Sequence, residues 1–175
     1  MSKRELNTKE NVRTVTSNQF ITACGLEGIS LKARKLLYIA ISQCQKKDTE
    51  FYEYSITIKE FADLMGIAST NVYQEAKKIA MELMKGYISI VPEGTKDFEM
   101  YSLFDFCKYK DGEGLTFRLN SDMTDFLLNL TGNFSQPLLH DFLKMRSPYS
   151  MAVWHLMQRE MKSKQLGITA TTGFD

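Results

Sequence analysis

Along the chain, apolar residues recur at helical spacing, then at alternate positions, then at helical spacing again. After the polar opening MSKRELNTKENV, the run 18–24 predicts a short helix stopped by Gly25. Ser30 is placed to cap a longer helix, LKARKLLYIAISQCQKK, with Leu36, Leu37, Ile39, Ala40 and Ile41 on its apolar side. FYEYSIT (51–57) is rich in aromatic and β-branched residues and predicts a strand, after which Thr57 caps the next helix. IKEFADLMGI sets Phe61, Ala62, Leu64 and Met65 at helical spacing and ends at Gly66. ASTNVYQEAKKIAMELMKG then begins with Ser69 or Thr70 as N-cap. Its apolar stripe is Val72, Ala76, Ile79, Ala80, Leu83 and Met84. Two helices joined by a few residues around a glycine form a helix-turn-helix.

Beyond Gly86 the period becomes two. YISIVP, FEMYSLFDFCKYK and LTFRLN read as strands, separated by turns at EGTKD (93–97) and DGEG (111–114). A helix-turn-helix followed by a β-hairpin predicts an α+β winged helix, here with extra flanking helices. Ser121 caps a helix DMTDFLLNL, a short helix follows over 137–145, and Ser147 with Pro148 opens SPYSMAVWHLMQREMKSK. LGITATTGFD reads as a frayed end. The expected organisation is an arm over 1–12, mobile or ordered only by a partner, then a winged-helix unit over 13–146. Residues 147–175 would supply a further helix and tail.

With 22 basic and 21 acidic residues, the chain does not bind polyanions through bulk charge, although a local basic face remains open. The charge is uneven: residues 1–50 and 146–175 are net basic, and 86–145 is acidic. Cys24, Cys44 and Cys107 are far apart and form no CxxC pair. Together with an opening that lacks a signal-peptide pattern, they point to a reduced, cytoplasmic setting. His140 and His155 have no metal-site spacing to them, so no metal or cofactor is expected.

No phosphate-loop, zinc-protease or nucleophile-elbow motif is present, and no enzyme is expected. Asp122 and Asp125 fit the electropositive start of a helix better than a catalytic pair. His155, beside Trp154 on a helix that must pack, reads as structural. The strongest candidate chemistry lies on the second helix of the helix-turn-helix. Opposite its apolar stripe stand Thr70, Asn71, Tyr73, Gln74, Lys77 and Lys78. Asn and Gln pair bidentately with adenine, lysines hold phosphates, and a helix N-terminus favours anions. The segment 58–85 nonetheless has four lysines against four acids, with Glu75 and Glu82 on this same helix, and a packing scaffold is the competing reading. Lys32 and Lys35, and the basic end 159–164, are further candidates for phosphate contact.

The run 98–107 is apolar on both faces. Met100, Ser102, Phe104 and Phe106 share one of them, so either self-association or the core accounts for that row.

Three stretches resemble a known family: VTSNQFITACGLEGISLKARKLLYIAISQC, ITIKEFADLMGI and FLKMRSPYSMAVWHLMQRE. In order and spacing they are similar to the RepB-like initiators of iteron-containing bacterial plasmids, over roughly residues 13–165. The features concerned are Ser17–Ile21 with the Arg34–Leu37 core, Ile56–Ile67, and Ser147–Tyr149 with Trp154. The resemblance implies the first of two tandem winged helices, which dimerises and contacts double-stranded origin repeats, and implies host replication proteins as further partners. Dimers in that family are inactive or repress the initiator's own gene. Residues 147–175 would then open a second winged helix. Where the family has an arginine in its last helix this chain has Ala152, so that residue's role is not carried over. A stand-alone winged-helix repressor and a pure interaction module are the alternatives.

Overall fold

A computed structural model describes residues 3–9, 11–128, 130 and 134–165. Strand β2 (Thr16–Ser17) leads into helix α1 (Asn18–Thr22), which is capped by the Ser17 hydroxyl, and α2 (Leu31–Ser42) is capped by Ser30, which accepts from the Ala33 N–H at 3.2 Å. From Leu36 to Ile41 every side chain of α2 is buried. A helix apolar around its circumference must be enclosed. Accordingly α4 (Val72–Lys85) packs on one part of α2, and α6 (Leu139–Lys144) and strand β7 (Gly114–Leu119) on others.

The helix-turn-helix forms as the spacing predicts. Strand β3 (Glu53–Ile56) leads into α3 (Ile58–Met65), whose start is closed by a reciprocal Thr57–Glu60 capping box. Gly66 ends α3 in the left-handed region, at φ 63°. The start of α4 differs from expectation. Ser69–Asn71 make a 3-10 turn, Asn71 occupies the N-cap position, and no side chain caps the helix. Thr70 and Asn71 are exposed, and neither side chain caps the helix.

The β region also departs from the simple pattern. β4 (Tyr87–Ile90) and β5 (Glu99–Ser102) pair as a separate two-stranded ribbon. β6 (Phe104–Lys110) and β7 form the hairpin that joins β3, and the sheet is completed by β1 (Lys3–Glu5) in the order β1-β3-β7-β6. The single strand expected over 98–110 is thus two, broken at Leu103. That side chain is fully buried, and its N–H turns to the Gly86 carbonyl at 3.2 Å. Gly114 is required where β7 meets β3: its φ is 95°, and a Cβ there would lie 2.2 Å from the Ile56 carbonyl oxygen.

The N-terminal arm is not free over Lys3–Glu5, which lie as a strand parallel to β3. Arg4 makes a bidentate pair with buried Asp48, at 2.8 and 2.9 Å, and stacks over the Tyr52 ring. Polar composition suggested a loose segment, whereas the anchor is an ion pair to a distant position that local composition does not reveal. The helix expected from Asp122 is also shorter: α5 (Thr124–Leu127) follows a 3-10 turn capped by Asn120. The tail 166–175 lies outside the described residues.

The C-terminal helix α7 (Pro148–Gln165), capped by Ser147, packs into the same core through Met151 and His155. His155 is 2% exposed; its Nε2 lies 2.8 Å from the Thr16 hydroxyl and its Nδ1 3.0 Å from the Tyr38 hydroxyl. Tyr38 stacks on Phe142 at 4.3 Å, and both rings meet the imidazole edge-on. Burial pushes the His155 pKa down from 6.5 to about 3. The unfolded chain takes up a proton near pH 6.5 and the folded chain does not until about pH 3. Stability contributed by this site is therefore complete above pH 6.5 and is lost as pH falls toward 3, by up to about 1.4 kcal/mol per pH unit. Urea unfolding followed by the fluorescence of the sole tryptophan, Trp154, should lose more stability between pH 7.5 and 5 in the native chain than in His155→Gln. Equal losses in the two proteins would contradict the assignment.

Candidate nucleic-acid interface

The inward side of α4 is Ala76, Ile79 and Leu83, which are buried, with Val72 and Ala80 half-buried beside them. Met84, assigned to that stripe by spacing, is instead 41% exposed, because β6 covers only part of the helix. Gln74, Lys77, Lys78 and Lys85 are exposed along the outer surface, and Thr70 and Asn71 continue it into the 3-10 turn. Tyr73 is 47% exposed and meets Tyr109 of β6 edge-on at 5.1 Å, so the hairpin and α4 share one surface. Tyr109 was absent from the sequence candidates. The signal for it is its alternation with Cys107, which brings both onto the face of β6 that meets α4.

The two acids of α4 explain why its charge balance misleads. Glu82 Oε2 accepts the Ser30 N–H at 2.9 Å, and Glu75 Oε2 accepts from Lys32 Nζ at 2.8 Å. Both carboxylates are turned to the start of α2, and the hydrogen bond from Lys32 holds the Glu75 pKa below the usual range. No exposed residue of α4 is acidic. The outer face is thus basic and amide-bearing even though the helix-turn-helix as a whole is neutral. Lys32 joins this surface only through Glu75, its charge already engaged. Lys35, three residues on, is half-buried, and desolvation lowers its pKa. The basic end is divided: Arg159 pairs with Glu160, and the side chains of Lys162 and Lys164 lie outside the described residues.

The four residues grouped for self-association do not share a face. Met100 (53% exposed) and Ser102 lie on β5 toward solvent. Phe104 is 3% exposed and packs edge-on against Phe117 at 5.9 Å, a core position. Phe106 is half-buried beneath Lys108 and Arg118, whose cationic groups lie 4.3 and 5.3 Å from its ring. The break at Leu103 and a bulge between Phe104 and Phe106 shift the parity that strict alternation assumes. Pairing of β4 with β5 instead sets Tyr87 and Met100 on one side of the ribbon, and Val91 and Phe98, just beyond the paired residues, are exposed as well.

Burial pushes the Cys107 thiol up to about 12, away from a nucleophile's requirement. Among the described residues no group of three His, Cys, Asp or Glu is placed to hold a metal, and no helix is long and apolar enough to cross a membrane.

A protein-family model described as "Initiator Replication protein, WH1" matches residues 13–158. Among solved structures, the chain is similar to "Crystal structure of Pi initiator protein in complex with iteron DNA", at 18% identity and a TM-score of 0.68. The match covers 86% of this chain and 65% of that one, so the chain spans just under two thirds of its length. At that identity the likeness concerns the fold.

The core and ribbon assignments are separable by mutation. Phe104→Ala should cost about 3–5 kcal/mol in urea unfolding, whereas Met100→Ala should stay within about 0.5 kcal/mol of the native chain. Similar costs for the two would contradict the split at Leu103.

Proposed function

The chain belongs to the initiator replication protein family, and from that premise we propose that it is the first winged helix of a plasmid replication initiator, binding the repeats of an origin without catalysing a reaction. The observation that carries this reading is the outer face of α4, where Gln74, Lys77 and Lys78 stand exposed while Glu75 and Glu82 are held against α2. Lys77 and Lys78 hold phosphates, Asn71 and Gln74 are the candidates for base edges, and Thr70 and Tyr73 flank them. The hairpin β6–β7 follows the same surface through Tyr109. Lys32 acts indirectly, by keeping Glu75 off the face, and Lys35 contributes at its margin. The comparison structure holds iteron DNA, the class of ligand this face suits. In this layout the first turns of α7 belong to the first winged helix, through Met151 and His155, and its later turns lead toward the second; the protein works in the bacterial cytoplasm.

Fluorescence anisotropy with a duplex carrying the repeats of the source replicon and with a scrambled duplex tests the assignment. The native chain should favour the repeats. Asn71→Ala and Gln74→Ala should each lose about 1–3 kcal/mol of that preference and leave scrambled binding intact. Absence of any preference in the native chain would favour an interaction module, and a preference for a promoter operator would favour a stand-alone repressor.

Self-association is assigned to the exposed apolar residues of the ribbon and its end, Tyr87, Val91, Phe98 and Met100, in place of the 104–106 segment. Sedimentation should find Phe98→Asp with Met100→Asp shifted to the monomer with its fold retained. Unchanged assembly would remove the ribbon from the interface.

A further inference from the structure

A cleft of about 450 Å3 opens between the α1–α2 corner and the first turns of α7. Phe20, Ile21 and Leu26 line one side, and Pro148, Tyr149 and Ala152 the other. Arg34 also lines it, although the residue is only 5% exposed. One terminal nitrogen of its guanidinium donates to the Leu26 carbonyl, while Nε is buried with no hydrogen-bond partner. A guanidinium brings five N–H donors and a permanent charge.

Among the described residues no carboxylate forms an ion pair with Arg34. Glu27, whose charge reaches it, turns its carboxylate to the Gly25 N–H at 2.9 Å. Tyr38 and His155, at the back of the same cleft, are hydrogen-bonded to each other. A buried cation without an ion-paired counter-anion is a costly arrangement in a protein interior, and an apolar side chain of similar volume would avoid that cost. The neighbouring inward positions of α2, Ala33, Leu36 and Leu37, are all apolar. Arg34 therefore stands out as a charge kept where packing alone would not select one.

We propose that this cleft binds a small organic anion, a carboxylate carried on an apolar body, with the carboxylate on Arg34 and the body between the Phe20–Leu26 wall and Tyr149 with Ala152. The volume suits a small ligand, since such sites commonly measure about 300–1,000 Å3. A monoanion fits better than a phosphate dianion, because the lining offers one cation and also carries Glu27. The remaining lining is largely apolar and favours a hydrophobic body. A ligand seated there touches both α2 and α7, so its binding strengthens the docking of α7. The site lies on α1, α2 and α7, away from the proposed DNA face on α4, and does not depend on that assignment.

The test is an NMR titration of the 175-residue chain, 15N-labelled, with 3-phenylpropionate and separately with its neutral amide at constant ionic strength. The acid should shift the amides of 26–34 and 149–155 and the Arg34 Nε–H saturably, at least about tenfold more tightly than the amide, as expected for a charge-assisted contact. Arg34→Met should abolish that preference. Glu27→Gln, at an exposed position, should tighten acid binding severalfold, and it carries the test if Arg34→Met does not fold. Equal binding of acid and amide, or acid binding unchanged in either variant, would overturn the proposal. Cleft amides that shift with protein concentration in the absence of ligand would overturn it too, by assigning the cleft to a second copy.

Discussion

What α4 presents to the outside depends on how it lies against the first turn of α2. Two hydrogen bonds define that contact, from the Ser30 N–H to Glu82 and from Lys32 to Glu75. Seven residues separate the two acids, so they fall on one side of the helix, two turns apart. Each therefore fixes the rotation of α4 at a different level. Ala76, Ile79 and Leu83 fill the space beneath, and the lysines are left opposite. The energy of the half-buried Lys32–Glu75 pair is minor, as pairs near the surface generally are. Its consequence is directional: it removes negative charge from the surface where phosphates would lie.

The same α2 organises the opposite part of the molecule. Tyr38 stacks on Phe142 of α6 and hydrogen-bonds His155 of α7, within the stretch of α2 that is buried on every side. The neutral imidazole accepts or donates on both of its nitrogens, to Thr16 and Tyr38, so this buried polar group is fully satisfied. Arg34, one turn earlier on α2, is not. Satisfied and unsatisfied polar groups thus sit side by side at the junction with α7, and only the second carries a charge without an ion pair.

Helical and alternating periods made most of the architecture legible: α2, the helix-turn-helix, its Thr57 cap, the strands either side of 111–114 and the Ser147–Pro148 start of α7 all follow from local pattern. Two kinds of feature did not. The first depends on non-local pairing, as where Arg4 meets Asp48 and turns a polar arm into a strand. The second depends on parity. One buried residue, Leu103, divides a continuous apolar run and sends Phe104 inward while Met100 remains outside. For the candidate site, residue types and helix face were readable at Asn71, Gln74, Lys77 and Lys78. Net charge pointed the other way, because a count cannot show that Glu75 and Glu82 turn to α2.

The central claim is that the outer face of α4 meets the phosphate backbone. The measurement that tests it most directly is the slope of log affinity against log salt for a repeat duplex, in the native chain and in Lys77→Gln with Lys78→Gln. Two lost phosphate contacts should make the slope shallower by about 1.8, at roughly 0.9 per contact, with the fold intact. An unchanged slope in the double variant would contradict the account.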